Sequence, residues 1–84
     1  MLRVSSKTKP NILSSIIATM VRNDEEVELR TIGAGALNQA IKAIANSKNN
    51  LEKDGYKIAI VPSFEEVEMN DQIKTAIKLQ IKLL

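Results

Sequence analysis

The side chain that most often moves protons in proteins is missing from this sequence, which contains no His, and with no Cys it also lacks thiolate–metal chemistry and disulfides. Acid–base work would therefore fall to carboxylates. These gather in two runs, Asp24, Glu25, Glu26 and Glu28, and Glu65, Glu66, Glu68 and Asp71, both beside turns. Neither run alternates acids with a glycine and a closing Glu as a calcium loop does, so both read as solvated surface, with weak divalent-ion binding as the alternative. The residue inventory points away from an enzyme. No catalytic residue, resident metal or cofactor is expected.

Gly33-Ala34-Gly35 is the other candidate. It follows an expected strand and opens an expected helix, where backbone N–H groups and the helix dipole favour an anion. A dinucleotide fingerprint needs a third glycine where Asn38 stands, and no Gly-Lys-Ser/Thr follows for a phosphate loop. Two readings stay open: glycines that make a tight turn and let backbones pack closely, or a phosphate contact. Lys7 and Lys9 lie in the loop before the first expected helix, and parallel βα units place that loop beside the Gly33 to Gly35 turn. Lys7, Lys9, Gly33, Gly35, Asn38, Gln39 and Lys42 are thus the candidate contacts for a nucleic-acid phosphate chain, with a solvated basic rim as the plain alternative. Tyr56 and Phe64 are the only aromatic residues, too few for a base-stacking platform. Any nucleic-acid contact would rest on phosphates.

The elements that position these residues follow from periodicity. Leu2 to Ser5 suits a short strand, and Pro10 suits the first turn of a helix. Ile12, Leu13, Ile16, Ile17, Met20 and Val21 then form one apolar stripe at helical spacing, up to Asn23-Asp24. Val27, Leu29 and Thr31 alternate with Glu28 and Arg30 as in a half-buried strand. A second helix is expected over 36–47, carrying Leu37, Ala40, Ile41 and Ile44 on one face. The turn-rich stretch 49–55 reads as a loop and 56–61 as a strand bounded by Gly55 and Pro62. Lys74, Lys78 and Lys82 would line up on a helix or a strand; unbroken alternation of Ile73, Thr75, Ile77, Leu79, Ile81 and Leu83 favours the strand. These lysines share the face opposite Ile77 and Leu79, which reads as an exposed face kept soluble, or as a second electrostatic surface.

The order is therefore βαβαββ. Right-handed crossovers place both helices on one face of the sheet, giving an α/β, more narrowly α+β, two-layer sandwich with a mixed four-stranded sheet. With 84 residues the chain forms one domain, 1–84, small enough that a homodimer is expected. An apolar fraction of 44% and a charged fraction of 26% are those of a folded globular protein. No long apolar segment is present, so no membrane association and a cytoplasmic location are expected. The net charge of +2 is small, but Arg3, Lys7, Lys9 and Arg22 precede the first acid, Asp24.

The stretch from Ile32 to Ala45, IGAGALNQAIKAIA, closely resembles the signature of the bacterial stage V sporulation protein S family. Val4-Ser5 with Pro10, Pro62-Ser63-Phe64 and Thr75-Ala76-Ile77-Lys78-Leu79 agree in order and spacing, so the resemblance covers nearly the whole chain. It implies a regulator of sporulation and cell division with a fold similar to the Alba chromatin proteins, which dimerise and bind DNA or RNA. The sequence departs from the Alba pattern at two places. Ala34 and Ala36 flank Gly35 where basic residues are usual, and the segment joining the last two strands, Ser63 to Asp71, is acidic instead of basic. The expected function is a non-enzymatic nucleic-acid-binding regulator in which Lys7, Lys9 and the start of the second helix carry the contact. The alternative is a protein-interaction adaptor meeting a division or developmental protein through Asn38, Gln39 and Lys42 or through the acidic hairpin.

Overall fold

A computed structural model describes Met1–Leu84. The elements are β1 (Leu2–Val4), α1 (Pro10–Arg22), β2 (Val27–Thr31), α2 (Ala34–Glu52), β3 (Ile58–Met69) and β4 (Gln72–Leu83), the βαβαββ order expected. The sheet order is β1-β2-β4-β3, with β1 parallel to β2 and the other two pairs antiparallel. The fold is the mixed-sheet, two-layer α+β sandwich. Its core joins Leu13, Ile17 and Val21 of α1 and Ala40, Ala43, Ile44 and Leu51 of α2 to Leu29, Leu79 and Ile81 of the sheet.

The apolar stripe on α1 is wider than the surface it covers. Leu13, Ile17 and Val21 are buried together with Ser14 and Ala18, whereas Ile12 and Ile16 stay 59% and 42% exposed. The helix is rolled toward its neighbour: on the side of Ser14 and Ala18, Asn46 Nδ2 donates to Asn11 Oδ1 at 3.2 Å and Arg22 pairs with Asp54 at 2.7 Å. Small side chains there let the two helices approach closely.

α2 outruns the expected 36–47 at both ends, and most of 49–55 is not loop. Ser47, Lys48, Asn49 and Asn50 are weak as helix formers taken together, but Ser47 and Leu51 continue the buried face of Ala40, Ala43 and Ile44. Burial of Leu51 therefore overrides propensity. The Ser47 hydroxyl is satisfied by donating to the Ile44 carbonyl at 2.8 Å.

The largest difference lies at the other end of the chain. β3 runs on through Pro62 and the acids to Met69, and the reversal takes only Asn70 and Asp71. Both have positive φ, 51° and 61°, the left-handed geometry of a tight hairpin turn. Pro62 is accommodated because β3 is the outermost strand. β2 pairs only with Ile77 to Ile81 of β4, so the rest of the hairpin is a free two-stranded ribbon. Strand alternation divides its acids between faces: Glu65 and Val67 are in register with Ala76 and Lys74 on the helix-free side, while Glu66 and Glu68 point the other way. The helix-free side is concave. Ala76 is fully buried and Val67 half-buried there, whereas Phe64 and Ile73 on the opposite side are 83% and 73% exposed.

Candidate nucleic-acid interface

The loop from β1 to α1 ties itself. The Thr8 N–H donates to the Ser5 carbonyl at 3.1 Å, the Ser5 N–H to Thr8 Oγ1 at 2.9 Å, and the Lys7 N–H to Ser5 Oγ at 3.1 Å. Those amides are used within the loop. What the loop offers outward is the exposed ammonium groups of Lys7 and Lys9.

This loop rests against the start of α2. A Cβ on Gly35 would stand 3.0 Å from Ser6 Cβ, tighter than nearly all such contacts, so glycine at this position lets the loop pack closely on the helix start. Gly33 caps the helix at φ 89° and ψ 158°, a conformation nearly reserved for glycine. The Gln39 side-chain amide donates to the Thr8 carbonyl at 2.9 Å and holds the loop onto α2. Neither helix has a side-chain cap or an acid in its first turn, which leaves the positive ends of both dipoles uncompensated.

Four of the seven candidate residues line two separate openings. Lys9 and Lys42 line a shallow groove with Asn11, Ile12 and Asn46 where the helices meet. Gly33 and Gly35 line a cleft on the other side of the loop. Lys7 lies in the loop joining the two, Asn38 is exposed on α2, and Gln39 is engaged as a clamp.

The cleft was not legible in the sequence. It measures about 640 Å³ and is enclosed between the strand ends Arg3, Val4 and Arg30, the Ser5-Ser6 loop and the concave side of the ribbon. Parallel pairing sets Arg3 beside Arg30, and antiparallel pairing sets Arg30 beside Lys78. The periodicity of β4 showed that Lys74 and Lys78 share a face; only the pairing reveals which arginines join them.

Carboxylates neutralise part of this cluster. Arg30 Nε donates to Glu65 Oε1 at 2.6 Å, and Lys78 Nζ lies 3.4 Å from Glu28 Oε2. The hydrogen bond from Arg30, joined by the charges of Arg30 and Lys78 against a smaller desolvation effect, holds the Glu65 carboxyl below its ordinary value. A carboxylate whose pKa falls on folding stabilises the native state above the unfolded pKa and loses that contribution as pH drops through the folded one. Glu65→Gln should therefore melt earlier than the parent protein near neutral pH. The gap should close as pH falls from roughly 4.3 downward, measured by thermal melts across the acid limb. A gap unchanged by acid would show that the pair does not anchor the ribbon.

No group of three or more His, Cys, Asp and Glu residues is placed to hold a metal ion. No helix is long and apolar enough to cross a membrane. The chain matches the family model of Stage V sporulation protein S (SpoVS) over residues 1–83.

Proposed function

We propose that this chain, which belongs to the stage V sporulation protein S family, serves its role in sporulation as a non-enzymatic regulator that binds DNA or RNA through phosphates. In this reading Lys7, Lys9 and Lys42 supply charge, Gly33 and Gly35 let the loop and helix come together, and Asn38 adds a polar contact. Gln39 acts indirectly by fixing the loop. The single observation that carries the reading is the seating of the Lys7-Lys9 loop on Gly35 beside two helix starts that lack acids and caps. An extended anion passing along that rim gains from each ammonium group without any base being read.

The ribbon enters this reading differently from the sequence expectation. Its acids do not form one repelling surface, because Glu65 is bound to Arg30 while Glu66 and Glu68 lie on the side away from Ala76. Phe64 and Ile73 on that side support a contact with protein, a second copy in a homodimer being the reading we adopt. They equally favour the adaptor alternative if no nucleic acid binds.

Fluorescence anisotropy with duplex DNA, single-stranded DNA and RNA at two salt concentrations tests the proposal, and sedimentation of the same samples tests the dimer. For the duplex, the Lys7→Ala/Lys9→Ala double variant should lower the salt slope by roughly 1.8, about 0.9 for each phosphate no longer neutralised. Affinity should fall alike for all sequences. An unchanged slope removes these lysines from the interface, and absence of binding by all three polymers at low salt favours the adaptor.

A further inference from the structure

The concave side of the ribbon carries a charge pattern that the polymer interface does not use. Arg3 and Arg30 are register partners on adjacent strands, an arrangement of like charges that is destabilising unless anions intervene. Glu65 answers Arg30 and Glu28 answers Lys78, but Arg3 and Lys74 take part in none of the ion pairs. These two unanswered cations line the same cleft. It opens beyond the carboxyl ends of the parallel strands β1 and β2, where ligands of α/β sheets characteristically sit.

We propose that this cleft binds a phosphomonoester of mononucleotide size, its phosphate held by Arg3 and Lys74 and its body packed against Ile32, Val67 and Met69. The volume of about 640 Å³ lies within the roughly 300–1,000 Å³ of small-molecule sites. Apolar side chains beside a pair of cations select a ligand with an anionic end and an apolar remainder. A nucleoside monophosphate combines both features. The site shares Gly33 and Gly35 with the polymer interface but none of its lysines, and it does not rest on that reading.

The test uses the full chain, with adenosine 5′-monophosphate and adenosine as probes, followed by calorimetry and by the amide resonances of Gly33 and Gly35. The monophosphate should saturate the protein and move both resonances, and adenosine should bind at least about tenfold more weakly, the effect of one charge-assisted hydrogen bond. Arg3→Ala and Lys74→Ala should each weaken the monophosphate by a similar factor; Lys74 is exposed on the ribbon, so its variant should remain folded. Lys7→Ala/Lys9→Ala should leave monophosphate binding intact even where duplex binding is lost, which separates failure of one site from failure of the other. A 5′-phosphorylated trinucleotide that binds more tightly than the monophosphate, and loses that binding without its phosphate, would identify a strand end as the source; equal or weaker binding would identify the free nucleotide. The proposal is overturned if the monophosphate fails to saturate at millimolar concentration, or if its affinity is indifferent to both Arg3 and Lys74.

Discussion

Leu51→Ala is expected to remove about 2–5 kcal/mol of unfolding free energy, the range for truncating a large buried aliphatic side chain. Leu51 is fully buried, and it belongs to the core cluster that joins both helices to the sheet. Its carbonyl also accepts the N–H groups of Asp54 and Tyr56 at 3.0 and 3.1 Å, so the same residue organises the turn into β3. Shortening its side chain opens a cavity at the point where helix, turn and strand meet. Small domains have only about 5–15 kcal/mol in total, so the loss should be plain in urea denaturation as a lower midpoint. Asn50→Ala is the control, an exposed neighbour on the same helical turn whose change should stay within about 0.5 kcal/mol. If Leu51→Ala costs no more than the control, the last turns of α2 are not part of the cooperative core.

Gly33→Ala should cost about 1–3 kcal/mol for a different reason. A Cβ at this position meets nothing within 4 Å, so the expense is not a clash. It comes from the backbone, held at φ 89° and ψ 158°, which an L-residue adopts only under strain. Relaxing that strain would re-aim the first turn of α2 against the Ser5 to Lys9 loop. Each kcal/mol corresponds to a shift of roughly 4–8 °C in the melting temperature of a domain this size, so differential scanning calorimetry resolves the effect. The variant should also bind duplex DNA more weakly, because the loop seated on Gly35 moves with the helix start. A melting temperature equal to the parent's would mean that the turn can take another conformation at no cost.

These two glycines show how far local reading reaches. Their place between a strand and a helix is legible from order alone, and close packing is one of the two readings that order leaves open. At Gly35 the distance to Ser6 supports packing, and at Gly33 the dihedral angles give the reason for glycine. Gln39 illustrates the opposite case. Its position near the loop follows from the sequence, but its amide is already engaged by the Thr8 carbonyl, a bond between residues 31 positions apart. The Asn70-Asp71 turn escapes local reading because glycine is absent from it. Without that turn, the acids before it resemble loop when they are the exposed half of a strand.

The order of elements, the helix and strand periods and the basic, acid-free opening of the chain were all determined by sequence, because each depends on neighbours within a few residues, and the family follows from motifs met in order along nearly the whole chain. The tertiary structure alone decided how far α2 and β3 run, since burial of Leu51 and pairing along β4 outweigh the preferences of Asn49, Asn50, Pro62 and Glu65 to Glu68. It alone set Arg3 beside Arg30 and curled Lys74 over the same cleft. Register and curvature are long-range quantities: they arise from contacts between strands that are distant along the chain, and no local pattern encodes which cation will meet which carboxylate and which will be left without one.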